Sequence, residues 1–310
     1  MRFLILGGGG FIGSHLSETL LHAGYDVRVF EKTGRSKDEV SHIIRQIDWV
    51  EGDYLNPSDL VNAVKEIDVI VHLISTTQPR GSNLNPVFDV STNVVPTIEL
   101  LNAACKAGVK KVIFSSSGGT VYGVPTQVPV RETHPTDPQC SYGIHKLAVE
   151  KYLALYRQMH GLDYTVMRIS NPYGEHQDPK GMLGAATVFL YKTLLGEEIE
   201  IWGDGSVVRD YLHISDVAGA CLKILDYKGK ENIFNIGYGT GVSLNKLLET
   251  ISEVTGIKPK VRYVEGRGFD VKNNVLDITR AKTELGWTPE IPLEEGLARM
   301  AKHFKSVHLK

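Results

Sequence analysis

Arg2-Phe3-Leu4-Ile5-Leu6 runs without a break into Gly7-Gly8-Gly9-Gly10-Phe11-Ile12-Gly13-Ser14-His15. A short apolar run closed by glycines reads as a buried strand, and the periodic stretch Ser14–Ala23 reads as a helix. The glycines at 7, 10 and 13 have the spacing GxxGxxG. Gly7 allows a tight turn out of the strand. Gly10 lets backbone N–H groups approach a pyrophosphate on the positive end of the helix, and Gly13 lets that helix pack close to the sheet. A glycine motif alone reads equally as a flexible turn. Strand before and helix after are the context that points to a dinucleotide.

Outward from that turn, apolar runs alternate with helical stretches. Strands are expected at Arg2–Leu6, Asp26–Phe30, Asp48–Glu51, Val69–Leu73, Lys111–Ser115 and Tyr164–Arg168. Helices are expected at Ser14–Ala23, Pro57–Val64, Thr92–Ala107 and Tyr142–His160, with Gly24, Gly108 and Gly161 in capping places after three of them. This alternation predicts a parallel sheet with crossover helices. After Arg168 the pattern loosens. Asn171–Gly181 reads as loop, Thr187–Leu195, Ile214–Leu225, Leu244–Thr255 and Leu293–Phe304 as helices, and Ile233–Ile236 as a strand. The expected fold class is α/β: a Rossmann doubly wound parallel sheet with a smaller, discontinuous C-terminal substrate-binding lobe. Residues 1–170 would form the dinucleotide domain with 206–240 returning to it, and 171–205 and 241–310 the lobe.

A net charge of -2 over 310 residues gives no sign of a nucleic-acid surface or a polybasic membrane patch. Three scattered cysteines, Cys105, Cys140 and Cys221, argue against a disulfide framework and against a zinc site, and fit a reducing cytoplasm. Phe3–Leu6 is too short for a signal-peptide core or a membrane span. No metal is expected.

The second strand ends in Glu31-Lys32. An acid there can bind both hydroxyls of the adenosine ribose and repels a 2′-phosphate, so Glu31 favours NAD over NADP, with Lys32 and Arg35 close enough to soften the preference. Asp53 is placed either to reach the adenine amino group or to cap its own turn. Tyr142-Gly143-Ile144-His145-Lys146 sets a phenol and an ammonium on one helical face. The ammonium is expected to stabilise phenolate, so that Tyr142 can exchange a proton near neutral pH. Upstream lies Ser115-Ser116-Ser117-Gly118-Gly119-Thr120-Val121-Tyr122-Gly123, whose hydroxyls either bind a reacting oxygen or satisfy the loop.

Taken together, GGGGFIGSH, the His72-Leu73 strand end, Asn93-Val94 with Thr97, SSSGGTVYG, YGIHK, Arg168 with Asn171-Pro172-Tyr173-Gly174, Gly203-Asp204-Gly205, Arg209-Asp210-Tyr211 and Leu285-Gly286-Trp287 resemble the extended short-chain dehydrogenase/reductase superfamily, specifically its nucleotide-sugar 4-epimerases. The likeness covers nearly the whole chain. It implies an NAD-dependent epimerase that inverts C4 of a nucleotide-diphosphate sugar, UDP-linked, through a 4-keto intermediate that turns before it is reduced. It implies NAD contacts from Gly7, Gly10, Phe11, Ile12, Gly13, Glu31, Lys32, Asp53, Tyr54, Leu73, Ile74, Ser75, Asn93, Ser115, Tyr142 and Lys146. Tyr142 is the implied acid and base and Lys146 its partner. Asn171, Arg209, Arg267 and Asp270 are the implied substrate contacts, the two arginines clamping the diphosphate.

The chain departs from the family pattern at several points. The turn before Val121 carries one extra residue, so the third catalytic hydroxyl falls on Ser117, with Thr120 as the alternative. Ser117 also serves as a substrate contact. His145 stands where a small hydroxyl residue is usual, and Ile74-Ser75 where two alanines are. The absence of an acid in Gly118-Gly119-Thr120 disfavours the dehydratase and decarboxylase relatives. Asn274 falls where the pocket often has a bulkier residue, which suggests room for an N-acetyl group. The competing readings are a nucleotide-sugar reductase or dehydratase, and a non-catalytic dinucleotide-binding relative. The resemblance also implies a homodimer through the helices Thr92–Ala107 and Tyr142–His160.

Overall fold

The computed structural model describes residues 1–181, 184–266 and 271–307. In chain order the elements are β1 (Arg2–Leu6), α1 (Phe11–His22), β2 (Asp26–Glu31), β3 (Asp48–Glu51), α2 (Pro57–Ala63), β4 (Val69–His72), α3 (Pro79–Ser82), α4 (Pro86–Ala107), β5 (Lys111–Ser117), α5 (Ser141–His160), β6 (Asp163–Ile169) and β7 (Asn171–Tyr173). They continue with α6 (Ala185–Leu195), β8 (Glu198–Trp202), β9 (Val208–His213), α7 (Ile214–Asp226), β10 (Ile233–Ile236), β11 (Gly241–Ser243), α8 (Leu244–Thr255), β12 (Lys260–Val264), β13 (Asn273–Asn274), α9 (Thr279–Leu285) and α10 (Leu293–Val307).

Seven strands form one sheet in the order β10-β6-β5-β4-β1-β2-β3. The run from β3 to β5 is parallel, with Leu6 opposite Phe30 on one side and His72 on the other. Phe3, Leu4, Ile5 and Leu6 all have 0% exposure, so successive residues are covered on both faces. That is why β1 reads as a continuous apolar run instead of an alternating one. The order reverses where β1 lies beside β4, the position at which ligands bind in doubly wound sheets.

The chain divides into two compact units: 1–124 with 135–168 and 221–234, and 125–134 with 169–220 and 235–310. This differs from the expected return of 206–240. The stretch 208–213 is β9, which pairs with β7, β11 and β13 and not with the large sheet. Asn171–Tyr173, expected as loop, is β7 on that same strand. In the second unit the core joins Phe189, Leu190, Ile199, Ile201, Ile251 and Phe304, from α6, β8, α8 and α10.

Helix α4 starts six residues before its expected boundary. Asn85 accepts the Phe88 N–H, and Pro86 occupies the first turn, where a missing N–H costs nothing. The early start brings Asp89 into the helix. Among the described residues no helix is long and apolar enough to cross a membrane.

Candidate active site

In the first unit, Gly7 leaves β1 at φ +89° and donates to the Phe30 carbonyl at 3.0 Å. A Cβ at Gly13 would stand 2.1 Å from the Gly7 oxygen, so α1 touches the turn there and only glycine fits. At Gly10 a Cβ would meet only that same oxygen at 3.3 Å, which leaves this side of the turn open at the N-terminus of α1. Phe11 and Ile12 form the first half-buried residues of α1. This geometry fits a pyrophosphate held by backbone N–H groups.

Glu31 is 8% exposed at the end of β2, and its Oε1 accepts the Gly9 N–H at 3.0 Å. The carboxylate is therefore fastened to the turn it serves. Lys32 is exposed, and Arg35 donates to the Gly9 carbonyl at 3.2 Å. Leu73 and Ile74 lie against Gly7, within 3.7 Å of a Cβ placed there. Ser75 donates to the Thr77 carbonyl at 3.0 Å.

Three of the expected cofactor contacts also hold hydrogen bonds within the protein. Asp53 Oδ1 accepts the Leu55 N–H at 2.9 Å, the capping role that was the alternative to adenine binding. Tyr54 is 7% exposed, with its hydroxyl 2.8 Å from both His72 Nε2 and Thr97 Oγ1, so its side chain belongs to the core. Asn93 accepts the Thr76 N–H at 2.9 Å and donates to the Thr76 hydroxyl and the Asp89 carbonyl, each at 2.8 Å. It shapes the loop after β4 from beneath.

The start of α5 is held from outside the helix. Its N-cap, Cys140, offers no side-chain hydrogen bond. Instead Asn83 Oδ1 accepts the Ser141 N–H at 2.8 Å and Ser82 Oγ accepts the Tyr142 N–H at 3.0 Å. A Cβ at Gly143 would come within 2.9 Å of the Thr120 oxygen, so the loop after β5 lies directly on this turn. Lys146, 2% exposed, donates to the Ser115 carbonyl at 2.8 Å, and its Nζ is 4.8 Å from the Phe114 ring centre and 5.5 Å from that of Tyr142. Burial pushes Lys146 down to about 8. The expected lowering of Tyr142 is not what its surroundings produce: burial raises the phenol above its ordinary range, and the nearby Cys140 and Asp89 add to the effect.

Behind this turn, Glu150 and Arg168 form an ion pair at 2.6 Å, each nearly inaccessible, with Ser116 donating to Glu150 at 2.5 Å. It ties α5 to β5 and β6. Of the two candidate hydroxyls, Ser117 ends β5 partly exposed, whereas Thr120 Oγ1 is buried and has no hydrogen-bond partner among the described residues. A buried hydroxyl left unsatisfied costs about 1–3 kcal/mol and calls for a partner.

In the second unit, a pocket of about 350 Å³ is lined by Asn171, Tyr173, Phe189, Trp202, Arg209 and Tyr211, among others. Arg209 donates to the carbonyls of Val208 and Val271 at 2.9 and 2.7 Å, and Asn171 donates to the Asp210 carbonyl at 3.0 Å. Asp210, fully buried, accepts the N–H groups of Tyr238, Gly239 and Leu276 and so organises the strand that carries Arg209. Asn274 sits opposite Arg209 in the β-ladder and is 2% exposed. It is not among the residues that line this pocket. Arg267 and Asp270 lie outside the described residues.

Residues 3–237 match the model of the NAD dependent epimerase/dehydratase family. The chain belongs to that family. The UDP-glucose 4-epimerase of Mycolicibacterium smegmatis is 36% identical, over 99% of this chain and 99% of that one. The dTDP-4-dehydro-6-deoxyglucose reductase of Escherichia coli is 33% identical, over 97% of each. The crystal structure of UDP-glucose 4-epimerase from Thermotoga maritima with UDP-glucose superposes with a TM-score of 0.94 at 36% identity, covering 100% of both chains. Within the family frame, sequence reasoning missed Asp89, Ser82, Asn83 and Glu150. The Asn85-Pro86 cap was the signal that would have placed the first of these on a helix. The alternation in Glu198-Ile199-Glu200-Ile201-Trp202 would have announced β8 and the Trp202 wall.

Proposed function

We propose that the chain is an NAD-dependent epimerase that inverts C4 of a UDP-linked hexose through a transient 4-keto sugar. The observation that carries this reading is the Tyr142–Lys146 pair, fixed on the first two turns of α5 with Lys146 buried, in the unit that also holds the open glycine turn. NAD, when bound, supplies a reversible hydride acceptor for C4. Tyr142 takes the O4 proton during oxidation and returns it during reduction. Lys146, anchored on Ser115, opposes with its charge the effect of burial on the phenol. Ser117 or Thr120 holds the reacting oxygen, and the unpaired Thr120 hydroxyl supports the second of these.

Arg209, with Arg267, holds the nucleotide diphosphate, for which a planar guanidinium is suited, while Asn171 contacts the substrate and Asp270 the ribose of its nucleotide. A largely apolar wall with aromatic residues suits the base. Holding the substrate by its nucleotide leaves the keto sugar able to turn and present its other face.

A reductase reading is favoured by one observation, the similarity to the dTDP-4-dehydro-6-deoxyglucose reductase. One experiment separates the two. The protein is incubated with UDP-glucose, UDP-galactose, their N-acetyl forms and a dTDP-4-keto sugar, with products resolved by NMR. Interconversion of C4 epimers with NAD retained supports the epimerase. Net consumption of NADH or NADPH for each product overturns it. We further propose a homodimer through α4 and α5, where Val87, Phe88, Val95, Leu155 and Met159 are exposed. Sedimentation as a monomer at micromolar concentration would count against it.

A further inference from the structure

A buried pair next to the catalytic turn has none of the roles assigned above. Asp89, in the first turn of α4, has 0% exposure, and His145, one residue before Lys146, has 2%. His145 Nδ1 lies 2.9 and 3.0 Å from the two Asp89 oxygens. A carboxylate only accepts, so Nδ1 carries the proton and neutral His145 leaves Nε2 bare. Ser141 donates to Asp89 Oδ2 at 2.6 Å, and Thr77 donates to Oδ1. One carboxylate thus joins the loop after β4, the start of α4 and the first turn of α5. The same imidazole meets the Tyr142 ring edge-on, with centroids 5.0 Å apart at 71°.

The charge state of the pair follows from its surroundings. Burial works to raise Asp89, but the hydrogen bonds from Ser141, Thr77 and His145 outweigh it and hold the carboxyl below its ordinary range. Burial and the nearby Lys146 push His145 down to about 4. The titratable groups around them are Cys140, Tyr142, Lys146 and Glu150 along α5, and His72 on β4, which burial keeps neutral. At neutral pH the pair is therefore one fixed negative charge with a neutral ring clamped to it.

We propose that Asp89 and His145 are a positioning pair for the reaction assigned to this site: Asp89 places a permanent negative charge near Tyr142 and Lys146, and His145, locked to it, sets the angle of the Tyr142 ring. This rests on the epimerase reading. The two residues divide the work. The charge opposes ionisation of the phenol and favours the ammonium. The imidazole fixes geometry, and a ring displaced by a fraction of an ångström loses rate without losing substrate affinity.

The test uses the NAD-loaded protein and three variants, Asp89→Asn, His145→Ala and His145→Gln. Tyr142's own titration is read from tyrosinate absorbance, as the difference between each protein and the same protein carrying Tyr142→Phe. Asp89→Asn should move the midpoint down by roughly one pH unit. His145→Ala should leave the midpoint in place and lower kcat about tenfold, with KM for the UDP-sugar within about twofold. His145→Gln, whose amide still donates to Asp89, should recover most of that kcat. An unchanged midpoint in Asp89→Asn overturns the proposal, as does wild-type kcat in His145→Ala. Should Asp89→Asn not fold, the two His145 variants decide: a loss shared by kcat and KM that glutamine does not repair marks a merely structural role and overturns it. The absorbance arm needs no substrate. A wild-type protein that titrates as expected but converts no UDP-sugar would show that the functional reading has failed while the positioning pair stands.

Discussion

At the start of α5, the side chains of Asn83, Ser82 and Asp89 reach in from other elements to fix two consecutive residues, Ser141 and Tyr142. Around the pocket of the second unit, Arg209 is fastened by two backbone carbonyls, and most of the remaining wall is apolar or aromatic. On the proposed reading, the first arrangement fixes a reacting atom, and the second leaves room for a substrate to be gripped at one end only. In an epimerase these are complementary needs: proton transfer requires geometry held within fractions of an ångström, whereas inversion requires a sugar that can turn.

The sharpest way to break this comparison is at the phenol. Tyr142→Phe should lower kcat by about 10²–10⁴-fold while NAD and UDP-sugar still bind, as measured by steady-state kinetics and calorimetry. A variant that keeps more than about a tenth of the activity would remove the first half of the comparison. Next comes the support behind α5. Glu150→Gln leaves Arg168 as an uncompensated buried charge and should cost about 3–5 kcal/mol of stability, read from denaturant unfolding.

Arg209→Ala should act on binding instead, raising KM for the UDP-sugar by roughly 10–100-fold with kcat little changed. If kcat fell as steeply as affinity, the claimed division between the two regions would blur. Thr120→Val should cost about tenfold in kcat if its hydroxyl meets the substrate, and Ser117→Ala should then cost less. The mildest test is pH. Lys146, pushed down to about 8 by burial, is charged below that value and neutral above it. Activity should therefore fall as pH rises through about 8, and Lys146→Arg should abolish that alkaline limb.

The same contrast governs what could be read from the amino-acid order. Strands β1, β3 and β10 fall on the expected residues. Covered on both faces, β1 reads as an unbroken apolar run, whereas β3, Asp48-Trp49-Val50-Glu51, lies at the sheet edge with none of its residues fully buried. Tyr142, Lys146 and the glycines were legible because their chemistry is tied to fixed spacings. The second unit's strands are short and pair across long sequence separations, Asn171 with Tyr211 and Asn273 with Val208, and no local pattern announces such partners. The internal hydrogen bonds of Asn93 and Tyr54 were not legible, because a sequence does not show which side chains a residue will meet across long separations. Asp89 was passed over for a related reason. A single acid near a helix start reads as a solvated cap, and only the packing brings Thr77, Ser141 and His145 around it.

The chain has three tryptophans, and their places make the molecule its own optical sensor. Trp49 lies so near the glycine turn that a Cβ on Gly9 would touch it at 2.7 Å, while Trp202, 37% exposed, faces the second unit's pocket. Trp287 is buried, with its indole N–H on the Asp216 carbonyl at 3.1 Å, and serves as a constant background. With Trp49→Phe and Trp202→Phe in hand, the proposed binding of dinucleotide at the glycine turn and of UDP in the second unit's pocket would each be read as quenching, separately and in unlabelled protein.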